Sequence, residues 1–248
     1  MKIKQHLPSI FTLINLFLGF LAIINTMGGH YIIACYFILA AGAFDSVDGK
    51  IARLIGIPTN FGKEIDSLAD MVSFCLAPSI LVYSLYTQNM PGISGEVIAS
   101  APLFMGAIRL ARFNSKVSDD RQLAYFTGFP TPMNALSIAS LVLFIEHFKI
   151  DNPEYSQPRL LLPLILSLSY LMVSRVHFAK FPLLNFSSGR QNLLRLLGII
   201  LFMVVFGASI FIGYSYRVLA GFVSFYILSG ILKHIITLGN IEPKKQEM

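Results

Sequence analysis

The sequence predicts an all-α, polytopic membrane helical bundle of about eight transmembrane helices, with both termini cytoplasmic. Composition and patterning carry that prediction. Of 248 residues, 55% are apolar and only 13% are Asp, Glu, Lys or Arg, about half the charged share of a soluble globular chain. So few charges cannot cover a water-facing surface. The apolar residues also run in long blocks, and blocks of roughly 18 or more residues with almost no charge read as spanning helices. Disorder, a disulfide scaffold and an ordinary soluble enzyme are excluded.

The first block, 8–27, follows the basic start Met1-Lys2-Ile3-Lys4. Its apolar stretch from Ile10 to Met27 is longer than a signal-peptide core and no A-x-A site follows, so it is read as the first span. Blocks 31–52 and 66–87 form a hairpin, because Gly56 and Pro58 between them end one helix and allow an antiparallel return. Blocks 96–113, 131–149 and 159–176 come next, the first of them ending in Arg109 and Arg112. Blocks 195–214 and 217–238 make a tight final pair. The connections are short, so residues 1–248 read as a single integral-membrane domain without tandem repeats, low-complexity tracts or coiled-coil heptads. Cys35 and Cys75 sit far apart inside apolar blocks and read as small buried hydrophobes.

Loop charge sets the orientation. All but three of the 19 Lys and Arg fall on one side of this layout, the exceptions being Lys149, Arg159 and Arg217. Positive residues concentrate on the cytoplasmic side, which puts both termini there. The net charge of +6 then reflects topology and anionic lipid headgroups, and no nucleic-acid partner is needed to explain it.

The second and third blocks hold the chemistry. They contain Phe44-Asp45-Ser46-Val47-Asp48-Gly49-Lys50-Ile51-Ala52-Arg53 and Gly62-Lys63-Glu64-Ile65-Asp66-Ser67-Leu68-Ala69-Asp70. A carboxylate inside a spanning segment costs roughly 3 kcal/mol or more and is a functional candidate by default. At 100° per residue, Asp45, Asp48, Gly49 and Ala52 form one stripe, and Gly62, Asp66 and Asp70 form another on the next helix. Two antiparallel helices then present two carboxylates each at one membrane level. Hard divalent ions, Mg²⁺ or Mn²⁺, suit such a set, and four carboxylates can hold two. Gly49, Ala52 and Gly62 leave a slot for a planar group, and Arg53 can fork onto a phosphate, which together suggest a nucleoside diphosphate ligand. The plainer alternative has the aspartates paired with Lys50, Arg53 and Lys63 as interfacial salt bridges, with the glycines packing helices.

The pattern D-x₂-D-G-x₂-A-R-x₈-G-x₃-D-x₃-D over Asp45 to Asp70 resembles, without a departure, the signature of the CDP-alcohol phosphatidyltransferase family. Three further segments resemble its phosphatidylserine synthase branch: Leu7 to Phe20, Arg109 to Asn114, and Phe126-Thr127-Gly128-Phe129-Pro130-Thr131-Pro132. Eight helices, the last of them in the C-terminal region 159–238, also suit that branch. The resemblance implies an enzyme that moves a phosphatidyl group from CDP-diacylglycerol to the hydroxyl of L-serine, releasing CMP. It implies two divalent metals, Mg²⁺ or Mn²⁺, on Asp45, Asp48, Asp66 and Asp70, with Asp70 also the general base. Gly49, Ala52 and Gly62 would border the cytidine and Arg53 would contact phosphate. The setting would be the cell inner membrane, with the active site at the cytoplasmic interface.

Serine brings a carboxylate and an ammonium, so its site needs a cation and acceptors. Arg109, Arg112 and Asn114 at the cytoplasmic end of the fourth block are the candidates, against a role in lipid-headgroup binding. On the first helix Pro8, Thr12, Asn15 and Gly19 form a stripe, from which Asn15 reaches either the donor or a neighbouring helix. His6, His30, His147, His177 and His234 are scattered without ligand spacing and read as ordinary interfacial residues. The expected partners are the two substrates, membrane lipids and a second copy in a homodimer. Two rivals remain: the same chemistry on glycerol 3-phosphate, inositol phosphate or choline, and a secondary transporter with an Asp ion site.

Overall fold

The computed structural model describes residues 7–55, 60–115, 125–152, 161–179 and 190–239. Its helices are α1 (Leu7–Met27), α2 (Tyr31–Ile55), α3 over 60–87, the short α4 (Ser94–Ala99), α5 (Ala101–Ser115), α6 (Thr131–Asp151), α7 (Leu161–Val173), α8 (Arg190–Ile212) and α9 (Ser215–Gly239). Among the described residues each apolar block is largely helical, the 159–176 block only over Leu161–Val173, and the protein is an all-α integral membrane protein. Among the described residues, four stretches are long and apolar enough to cross a bilayer: Ile10–Met27, Phe61–Thr87, Thr131–Ile150 and Ser215–Ile236. Tyr31–Val47, Leu161–Val173 and Ile200–Ser209 are shorter apolar helices. At 1.5 Å per residue, α7 rises about 20 Å against a hydrocarbon core of about 30 Å.

Small residues let the central helices approach closely. Ala34, Cys35, Ile38 and Ala41 of α2, Phe74, Ala77 and Leu81 of α3, and Ala135, Ala139 and Val142 of α6 share one buried cluster. In lipid, helix association rests on such close packing, because the solvent is as apolar as the side chains. The outward faces are apolar too: Leu201, Phe211, Phe225 and Leu232 are exposed, Phe211 by 93%. Only a hydrocarbon solvent tolerates that surface.

The third helix is not a uniform α-helix. It opens into π-helical turns over Met71–Leu76 and Tyr83–Thr87, with the Ala77 N–H bonded back to the Val72 carbonyl. Pro78 explains the first. In a regular α-helix its ring would strike the Phe74 carbonyl, and widening the preceding turn relieves the clash.

A small antiparallel hairpin breaks the helical pattern where only helices and connections were expected. Strand β1 (Tyr125–Thr127) pairs with β2 (His177–Ala179), Phe126 opposite Phe178. Gly128, at φ 80°, turns the chain out of β1 into a region closed to most L-residues. Its N–H donates to the Val176 carbonyl at 2.8 Å, and the Phe129 N–H donates to Leu171 at 2.9 Å. Phe129 and Phe178, both fully buried, meet edge-on at 5.1 Å, and Gly230 of α9 admits the Phe178 ring. The hairpin thereby ties the start of α6 to the end of α7 and to α9.

Candidate active site

Asp45 of α2 and Asp66 and Asp70 of α3 converge, offering ligand atoms within 4.8 Å of one another. Among the described residues they are the one such group of metal-ligating side chains. The expected convergence of the two aspartate stripes is therefore present in three of its four members. Asp48, Gly49, Ala52 and Arg53 lie on α2, but their side chains fall outside the described residues. Gly62 stands two turns before Asp70 on α3, partly exposed.

What holds the three carboxylates is α1, which packs along both α2 and the first stretch of α3. Asn15, fully buried, donates from Nδ2 to Asp70 Oδ1 at 3.5 Å. Ser73 returns the contact, donating from Oγ to the Asn15 carbonyl at 2.9 Å. Gly19 sits one turn further along α1, where any Cβ would run into the Ser73 side chain and backbone. Of the two readings of Asn15, the structure contains the interhelical bond. The π-turn after Asp70 places Ser73 for this bond, since it rotates the helix relative to a regular 3.6-residue repeat.

The cationic candidates separate. Arg109, mostly buried on α5, reaches Thr131 Oγ1 from Nη1 at 3.5 Å, and its guanidinium is an electrostatic neighbour of Asp70 and Cys75. Gly106, one turn earlier, lets α5 lie directly on Cys75 of α3. Arg112 is exposed and donates from Nη1 to the Val173 carbonyl at 3.1 Å. That carbonyl ends α7, where the unpaired oxygens of a helix C-terminus attract a cation. Asn114 donates from Nδ2 to Ser67 Oγ at 3.0 Å, beside Asp66. Thus Arg109 faces the aspartates, Arg112 pins α7, and Asn114 fastens α5 to α3.

Thr131 of α6 belongs to this neighbourhood through its bond with Arg109, and Asn134 follows one turn further along the same helix; neither is singled out by the sequence motifs. A signal existed for Asn134, since an amide three residues inside an apolar span is rare without a function. Thr131 falls within the segment Phe126 to Pro132, but nothing in the sequence singles out its hydroxyl. A separate hollow of about 290 Å³, lined by Gly29, His30, Tyr31 and Glu146 among others, lies at the opposite end of α6 and away from the carboxylates.

Helices for a lipid solvent, closed around an acidic cluster at one end of the bundle, define an integral-membrane protein with a carboxylate-rich polar site. Residues 5–175 match the CDP-alcohol phosphatidyltransferase family. The chain is 31% identical over 236 residues to the CDP-diacylglycerol–serine O-phosphatidyltransferase of Helicobacter pylori strain J99, covering 94% of this chain and 93% of that protein. It is 35% identical over 191 residues to the protein of that name from Bacillus subtilis strain 168, covering 76% and 99%. It is 36% identical over 141 residues to the archaetidylserine synthase of Methanothermobacter thermautotrophicus, covering 55% and 58%. The chain belongs to the CDP-alcohol phosphatidyltransferase family.

Proposed function

We propose that this chain is a CDP-diacylglycerol–serine O-phosphatidyltransferase, which transfers the phosphatidyl group from CDP-diacylglycerol to the hydroxyl of L-serine and yields phosphatidylserine and CMP. The observation that carries this reading is the convergence of Asp45, Asp66 and Asp70 within 4.8 Å, in a member of a family whose similar relatives are named for serine. The donor set is all carboxylate oxygen, which fits hard divalent cations and not thiophilic ones. Asp45, Asp66 and Asp70, with Asp48 from the signature, would hold two Mg²⁺ or Mn²⁺ ions. Bound there, such ions neutralise charge on a diphosphate.

The chain's own residues supply the rest. Asp70 accepts the serine hydroxyl proton as the new serine O–P bond forms and the P–O bond to CMP breaks. Asn15 holds Asp70 in place, so the carboxylate does not have to be ordered during the reaction. Arg109 presents a forked guanidinium to the serine carboxylate, and its burial next to Asp70 strengthens that contact by excluding water. Gly49, Ala52 and Gly62 border the cytidine, and Arg53 meets phosphate.

The same reading makes residues 1–248 one domain crossing the inner membrane eight times, with termini and active site cytoplasmic; the loop-charge asymmetry supports it. A homodimer completes it and is read from the mass of the solubilised particle.

The deciding experiment is an acceptor screen with purified protein, CDP-diacylglycerol and Mg²⁺ or Mn²⁺, scoring CMP release. L-serine is expected to be the fastest acceptor. A faster rate with glycerol 3-phosphate, inositol phosphate or choline would keep the family and overturn the serine assignment.

A further inference from the structure

Asn134 is fully buried one turn inside α6, and neither atom of its amide has a hydrogen-bond partner. By contrast, Asn15, Asn25, Asn114 and Asn152 each donate the amide nitrogen to an acceptor. Asn25 donates back to the Leu21 carbonyl at 2.8 Å, and Asn152 to the Phe148 carbonyl at 3.3 Å. Buried hydroxyls do the same: Ser137 bonds Met133, Ser169 bonds Ile165, and Thr26 bonds Ala22. For Asn134 the equivalent acceptor, the Pro130 carbonyl, takes the residue's own backbone N–H at 3.0 Å, and the side chain stays free of it.

The neighbours have the same property. Asn134 is three residues from Thr131 and shares its helix face. Thr131 holds Arg109, whose Nε is also buried without a partner, and Arg109 neighbours Asp70, whose ligand Asn15 has an unpartnered Oδ1. Among the described residues, four of the seven buried unpartnered side-chain atoms belong to Asn15, Arg109 and Asn134. A buried amide left unmatched is costly, and more so with lipid as the surrounding solvent. Asn15 and Arg109 both neighbour Asp70, and Asn134 stands one helical turn from Thr131, which Arg109 meets; orphans so grouped point to a ligand with several polar groups.

We infer that Asn134 lines the acceptor pocket and reads the amino-acid backbone of the acceptor, with Thr131 and Arg109 beside it. The inference rests on the serine reading above and names the residue that would make it selective. The free donors, Arg109 Nε–H and Asn134 Nδ2–H, suit a carboxylate, and the free acceptor, Asn134 Oδ1, suits an ammonium N–H. A small zwitterion supplies both groups at once. A quaternary ammonium has no N–H to give, and a phosphomonoester brings two negative charges against one arginine.

The test uses the full-length protein with Asn134→Leu and Asn134→Ser. Leucine removes the amide at similar volume and leaves no polar group to orphan. Both variants are expected to raise the KM for L-serine at least about tenfold, because a site built to hydrogen-bond a substrate loses that binding when the partner is removed. The KM for CDP-diacylglycerol should stay within about twofold, and CDP-diacylglycerol should still raise the thermal unfolding temperature, which certifies folding and donor binding. The preference for serine over ethanolamine and over 3-hydroxypropanoate, which lack the carboxylate and the ammonium respectively, should shrink in both variants. If both variants keep the parent's serine KM while retaining the donor-induced thermal shift, the amide plays no part in acceptor binding and the inference is overturned. A KM defect equal for serine and donor would also overturn it. If Asn134→Leu fails to fold, Asn134→Ser is read by the same criteria. Should the parent prefer a phosphorylated acceptor, the serine reading fails and takes this inference with it; a serine-using parent with indifferent variants leaves that reading standing.

Discussion

Asn15 of α1 donates its side-chain amide to Asp70 of α3 at 3.5 Å, across 55 positions of sequence. The bond makes the first helix part of the carboxylate site. Asn15→Leu keeps the helix apolar but frees Asp70 to rotate. Loss of a group that orients a ligand residue typically costs 10- to 100-fold, and kcat for CMP release should fall by about that factor while membrane insertion is retained. An unchanged kcat would reduce the bond to packing.

The three converging carboxylates should each be indispensable. Asp45→Asn, Asp66→Asn and Asp70→Asn preserve shape and remove charge, so turnover should drop by about 10²- to 10³-fold or more. EDTA should abolish activity in the parent, and Mg²⁺ or Mn²⁺ should restore it. Any one Asn variant with full turnover would release that aspartate from the mechanism.

Close approach of α1 to α3 depends on Gly19, where a Cβ would meet Ser73, whereas nothing lies within 4 Å of a Cβ at Gly221 of α9. Overpacking a close contact costs about 1–3 kcal/mol. Gly19→Val should therefore lower both the unfolding temperature and turnover, and Gly221→Val should change neither. Measured side by side, equal effects would show that the approach is not what positions Asp70.

Arg109 and Arg112 are three residues apart and should behave differently. Arg109→Ala is expected to raise the KM for L-serine at least about tenfold, with Arg109→Lys recovering only part, because lysine lacks the fork. Arg112→Ala breaks a bond to the Val173 carbonyl and should act on stability with little change in serine KM. The reverse ranking would move the carboxylate-binding role to Arg112.

Gly128 turns the hairpin at φ 80°, and a Cβ there would also run into the Met172 carbonyl. Gly128→Ala should cost about 1–2 kcal/mol from backbone conformation alone. The loss should appear as a lower unfolding temperature; an unshifted temperature would mean that the hairpin contributes little to the fold.

By itself the sequence determined the solvent, the helical class and the aspartate signature. Apolar block length and charge scarcity are local properties, and a stripe such as Asp66 and Asp70 follows from the 3.6-residue repeat alone. Tertiary structure decided the relations that no local period encodes. Asn15 read equally well as a donor ligand and as an interhelical bridge, because its partner lies 55 positions away. Arg109 and Arg112 share a helical face by spacing, yet the position of the α7 terminus draws one away from the aspartates. The π-turn after Asp70 shifts the register that an ideal helix would give, under the pressure of Pro78. No sequence motif marks Asn134; only the fold shows that neither its own helix nor its neighbours satisfy it, because hydrogen-bond pairing depends on all the helices packed around a side chain.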